Sequence, residues 1–129
     1  MKYTKADERR VKRWITQWQK TLNLHDWDIY VVFEKDDKDT TAANTIREFN
    51  YLRATITIFH CFFESKLEDQ WNYVVHEMIH VMLASYDQAL IGAQDGRAIP
   101  QWDVERIRET TTVRFTSLLT SAWPWKKDV

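Results

Sequence analysis

Between Thr4 and Leu22 the apolar residues Val11, Trp14, Ile15, Trp18 and Leu22 recur at the spacing of one helical stripe, with the charged residues mostly outside it. This predicts a first helix over 4–22. After a short turn at Asn23 to Asp26, the run from Trp27 to Phe33 is β-branched and aromatic enough to predict a strand. Glu34 to Asp39 is charged and unpatterned, as in a loop. A second strand is expected between Thr40 and about Asn50, where Ile46 and Phe49 signal some burial. The pattern then changes to period two: Leu52, Ala54, Ile56, Ile58 and His60 alternate with Arg53, Thr55, Thr57, Phe59 and Cys61, which predicts a third strand with one face exposed.

Ser65 followed three places later by Glu68 reads as a capping box, so a second helix is expected over 65–88. Gly92, Gly96 and Pro100 bound a loop. A third helix is expected over 101–122, with an apolar stripe through Val104, Ile107, Thr111, Phe115, Leu118 and Ala122, and Pro124 stops it. Trp123 and Trp125 lie in a short tail with Lys126 and Lys127 and are expected to fold back. There is no repeat, low-complexity tract or linker. The expectation is one α+β domain over 1–129: three main helices packed on a small three-stranded mixed sheet formed by 27–60.

Composition narrows the setting. The chain has 129 residues, 44% hydrophobic and 29% charged, a balance that supports one core without disulfides. The lone Cys61 cannot form an internal bridge, and a reducing, cytoplasmic compartment is expected. The start of the chain is charged rather than signal-like. The longest apolar stretch, Tyr73 to Ala84, is interrupted by His76, Glu77 and His80, so no membrane partner is expected. Seven basic residues against Asp7 and Glu8 give the first twenty positions a charge of +5, and the remainder sums to −6. A basic helix of this kind can touch nucleic-acid phosphate. A solvated helix face explains the same charges, and no signature of base recognition accompanies them.

The second helix carries His76-Glu77-Met78-Ile79-His80, the H-E-x-x-H pattern. At 100° per residue the two imidazoles stand about 40° apart and one turn apart on one face, so both can reach one zinc ion at roughly 2.0 Å. Glu77 is rotated about 100° from His76, beside the metal, where a carboxylate can take a proton from water that the metal has acidified. Trp71, Val74, Val75, Met78, Ile79 and Met82 cover the helix's other side and predict its burial.

A catalytic zinc needs a third protein ligand and an open fourth position. The remaining histidines, His25 and His60, both lie upstream. The downstream acids are Asp87, Asp95, Asp103, Glu105, Glu109 and Asp128. Measured from the centre of the third helix's apolar stripe, Glu105 falls at about 100° and Glu109 at about 140°. Glu105 is therefore taken as the third ligand. Glu109, one turn on, becomes the carboxylate that accepts a hydrogen bond from the free ring nitrogen of His76. Ordinary surface pairing of both acids with Arg106, Arg108 or lysines is the alternative.

H-E-M-I-H on a helix behind the strand Ala54-Thr55-Ile56-Thr57-Ile58, with Glu105-x-x-x-Glu109 on the next helix, resembles the gluzincins of the thermolysin type. The order of elements is also similar to minigluzincins and to short metallopeptidases of phages and prophages. The resemblance spans about residues 4–120 and implies a zincin-like minimal metallopeptidase fold, one Zn2+ per chain and an extended peptide or protein substrate. Glu77 would be the general base of peptide hydrolysis. Thermolysin-type enzymes carry Asp where Glu109 stands here, and their downstream domain supplies groups that steady the tetrahedral intermediate. Candidates for that role here are Tyr51 and Arg108, with Tyr73 and Tyr86 behind them. The strand from Arg53 to Phe59 is expected to form the cleft rim, and Thr55 and Thr57 to meet a peptide added as a further strand.

Cys61 upstream of the motif raises a peptide-deformylase-like Cys plus two His site, but the glycine-rich motifs of that family are absent. SprT-like proteases, which act on DNA-crosslinked proteins, share the helix-strand-helix plan and use a further histidine that this chain lacks. A binding or regulatory protein that keeps the zincin scaffold with little or no catalysis is the reading outside enzymology.

Overall fold

The computed structural model describes residues 3–35, 41–84, 86–88, 90 and 101–126. The expected loop at Gly92, Gly96 and Pro100 lies outside them, as do Asp95, Asp128 and the side chain of Asp103. The architecture is α+β.

Helix α1, Lys5–Thr21, starts at a capping box that the sequence reading overlooked. The Thr4 hydroxyl accepts from the Asp7 N–H, and the Asp7 carboxylate accepts from the Thr4 N–H at 2.7 Å. Its stripe of Val11, Trp14, Ile15 and Trp18 is buried as expected. Several of its bases are engaged within the fold: Lys5 with Glu8 at 3.2 Å, Arg10 with Asp7 at 2.8 Å and with Gln70 at 2.7 Å, and Lys12 over the Phe33 ring.

Strands β1 (Asp28–Glu34), β2 (Ala43–Glu48) and β3 (Arg53–Phe59) form a mixed sheet of order β1-β3-β2, parallel between β1 and β3 and antiparallel between β2 and β3. A single 3-10 turn, Phe49–Tyr51, and a left-handed Leu52 (φ 49°) reverse the chain between β2 and β3. Ala54, Ile56 and Ile58 of β3 point into the core, so by alternation Thr55 and Thr57 lie on the opposite face. The register sets them beside exposed Tyr30, Val32 and Ile46.

Helix α2, Leu67–Met82, begins two residues beyond the expected capping box. Ser65 stays extended, and Lys66 is the N-cap without a side-chain hydrogen bond. Gln70, buried, fastens this start instead by donating to the Ser65 carbonyl at 2.9 Å. The helix stops at Met82 rather than running to 88, although Ala84, 86–88 and Leu90 are helical again. Its inner face of Trp71, Val74, Val75, Met78 and Ile79 joins α1 and β3 in one core, where Trp14 meets Trp71 edge to face at 5.2 Å. Each such large side chain contributes about 1.5–3 kcal/mol by leaving water.

Helix α3, Gln101–Ala122, returns antiparallel to α2, and the Trp71 indole N–H donates to the Trp123 carbonyl at 3.1 Å. The expected stripe faces inward only in its first half: Val104 is buried and Ile107 and Thr111 are half-buried, but Phe115, Leu118 and Ala122 are exposed. Further along, Thr112 and Leu119 pack inward in their place. Along this helix Thr112, Thr116 and Thr120 each donate to the carbonyl four residues earlier, at 2.7–2.8 Å. No helix among the described residues is long and apolar enough to cross a membrane.

Candidate metal centre

Helical spacing puts Tyr73, His76, Glu77 and His80 of α2 on the side turned away from the Val74, Val75 and Met78 core. The two imidazoles lie edge to face with centroids 4.9 Å apart and stay partly open to solvent. The acid that meets them comes from α3, and it is Glu109. His76 Nε2 is 3.1 Å from Glu109 Oε1, and His80 Nε2 is 3.8 Å from Glu109 Oε2.

The structure does not bring Glu105 to this group. Glu105 is exposed one turn earlier on α3, about 6 Å along the axis. Because α3 runs antiparallel, that turn faces the end of α2, beyond the histidines. Angle around the helix favours Glu105, whereas position along the axis separates the two glutamates and brings Glu109 to the histidines.

One donor atom each from His76, His80 and Glu109 can be chosen so that all three lie within 4.8 Å of one another. Ligands of a tetrahedral zinc with 2.0–2.1 Å bonds sit about 3.3 Å apart, so modest side-chain adjustment completes the set. Two imidazoles and one carboxylate are the donors of hydrolytic zinc sites. Burial, reinforced by the neighbouring His76, holds the His80 pKa down at about 4, so the ring is neutral near pH 7, the form that ligates.

Glu77 is buried, 5% exposed, and accepts a hydrogen bond from the Thr45 hydroxyl at 2.8 Å. Burial pushes its pKa up to about 7 against the lowering effect of that bond, and the charge of Glu109 adds to the rise. A carboxyl poised there can both take and return a proton near neutrality.

Thr45 lies on β2, and this relocates the cleft rim. β3 is the central strand, bonded on both sides, so it cannot accept a further strand, and Thr55 and Thr57 face away from α2. Thr45 and Arg47 pair with Ile56 and Ala54 and share their inward face. A cavity of about 320 Å³ opens between Ala42 and Ala43 at the start of β2, Asn72 and Tyr73 of α2, and Thr116 of α3, with His76 and Glu77 on its wall.

Of the groups considered for oxyanion stabilisation, Tyr51 is 69% exposed on the 3-10 turn, lining a different hollow with Arg47 and Gln88. Arg108 is engaged by buried Asp87, Nε to Oδ1 3.4 Å. Tyr86 is exposed. Tyr73 borders the cavity itself. Cys61 donates to the Thr41 carbonyl at 3.1 Å and is not in the His76 group, and neither is His60, which sits 3.6 Å from Glu64.

Thr45 and Arg47 have no place in the sequence reading, and Asp87 appears there only as one of the downstream acids. Period two over Ala43, Thr45 and Arg47 is the available signal for the strand residues; nothing in the sequence marks Asp87 as the partner of two arginines. Compared with protein-family models, curated proteins and solved structures, the chain matches none of them.

Proposed function

We propose that this protein is a zinc-dependent peptidase of minimal zincin type, with His76, His80 and Glu109 as metal ligands and Glu77 as general base. The observation that carries the reading is the meeting of Glu109 with the two histidines beside a buried, hydrogen-bonded Glu77. Zinc supplies Lewis acidity toward a carbonyl oxygen and lowers the pKa of water within its reach. Glu77 accepts the proton of the attacking water, held in place by Thr45, and returns it to the departing amine. Tyr73, at the edge of the cavity, is the donor available to the developing oxyanion. Among the described residues strand β2 pairs with β3 on one side only, so an extended peptide can add along its other edge past Ala43 and Thr45.

The test is hydrolysis of a fluorescence-quenched peptide library by zinc-loaded protein. Cleavage is expected to stop on chelation and to return with zinc. Glu77→Gln is expected to keep zinc and lose cleavage, and Glu109→Gln to lose zinc. Cleavage that persists undiminished in folded Glu77→Gln, or a zinc-loaded protein that cleaves no member of the library, refutes the proposal.

A further inference from the structure

Asp87 is 2% exposed and lies outside the proposed ligand set, yet it pairs with arginines from β2 and α3, the two elements that flank the histidines. Its Oδ2 accepts from Arg47 Nη1, and its Oδ1 is 3.4 Å from Arg108 Nε. Arg47 also donates to the His80 carbonyl at 2.9 Å. Arg47 stands two places from Thr45 on β2, on the same face of the strand, and Arg108 is the residue next to Glu109 on α3. One buried carboxylate thus links the strand that holds the base, the carbonyl of one histidine and the helix that carries the acidic ligand.

Burying a carboxylate costs several kcal/mol unless cations pair with it, and two guanidiniums from separate elements provide that pairing. A packed helix pair would not require such a group. Without it, α3 would still be tied to α2 at the far end by the Trp71 indole, but among the described residues Arg108 would lose the acid that holds it beside Arg47 and the His80 carbonyl.

We propose that Asp87 is a positioning residue which, through Arg47 and Arg108, sets the level at which Glu109 meets His76 and His80 and thereby sets metal affinity. This rests on the metal-site reading above. Its role resembles that of outer groups that orient ligands in metal sites, whose loss typically weakens metal binding about 10–100-fold.

The experiment measures cobalt(II) affinity by competition with a chromogenic chelator, together with the visible absorption of the bound cobalt, which reports coordination geometry. Arg108→Gln, at a half-buried position, is the principal variant, with Asp87→Asn beside it and Arg108→Lys as the conservative rescue. Arg108→Gln is expected to bind cobalt about 10–100-fold more weakly with an altered spectrum, Arg108→Lys to recover much of both, and the Asp87→Asn/Arg108→Gln double variant to lose less than the sum of the single losses. Folding is checked by far-ultraviolet circular dichroism, and if Asp87→Asn does not fold, the two Arg108 variants decide. A folded Arg108→Gln with the affinity and spectrum of the unmodified protein overturns the role of Asp87 and leaves the metal site standing. An unmodified protein that takes up neither cobalt nor zinc overturns the metal site and this inference together.

Discussion

Glu77→Gln in the metal-free protein separates two opposing titrations inside one small site. Glu77 has its carboxyl raised from 4.5 to about 7 by burial. The folded state therefore holds that proton more tightly than the unfolded chain, and the resulting stability is full below about pH 4.5 and lost as pH rises through about 7. His80 moves the other way, from 6.5 to about 4. Between those values the unfolded chain binds more protons, so stability rises with pH. At about 1.4 kcal/mol per unit, each displacement is worth about 3 kcal/mol, and the two nearly cancel from pH 4 to 7.

Glutamine keeps the shape of Glu77 and a partner for the Thr45 hydroxyl but does not titrate. Its introduction leaves the His80 rise unopposed, so Glu77→Gln is expected to gain about 3 kcal/mol relative to the unmodified protein as pH goes from 4 to 7. Asp7 adds a component common to both proteins. Burial raises its carboxyl, but the Thr4 N–H, the Arg10 guanidinium and the Thr4 hydroxyl together outweigh this and hold it low, so its contribution is lost as pH falls. The assay is urea unfolding at fixed pH steps in the presence of chelator, followed by tryptophan fluorescence, with the m-value checked for constancy. A stability difference between the two proteins that stays constant across that pH range refutes the reasoning.

Trp71→Ala removes a ring that touches Trp14 and Trp18 at 5.2 and 5.6 Å, together with the hydrogen bond to the Trp123 carbonyl. It is expected to cost about 4 kcal/mol in urea unfolding, and a loss below about 1 kcal/mol contradicts the packing described. Tyr73→Phe is expected to lower kcat for peptide cleavage by about 100-fold with zinc content unchanged, and an unchanged kcat removes Tyr73 from the oxyanion role.

Elements with a strong period were legible in the chain. The stripe from Val11 to Trp18 and the alternation from Ala54 to Ile58 predict α1 and β3 close to their observed bounds. The histidine pair is legible because its geometry is internal to one helix. What failed depends on relations between elements. Strand order is not encoded in any one strand, so β3 reads equally well as edge or centre. Helix α3 presents threonines inward, because each hydroxyl is satisfied within the helix, and a search for apolar residues selects the exposed Phe115 and Leu118 instead. The choice between Glu105 and Glu109 follows from the level of α3 along α2, which is set by tertiary contacts.

The inward threonines of α3 have a mechanical consequence. Their hydroxyls are spent on their own helix, so the middle of the α2 and α3 interface carries little directional friction. Polar restraint on α3 comes instead from the Trp71 indole, from the pairing of Arg108 with Asp87 and from the meeting of Glu109 with His76 and His80. The threonine bonds are internal to α3, so they would survive any lengthwise displacement of the helix, whereas a step of one residue, about 1.5 Å, would alter the distances from Glu109 to both imidazoles.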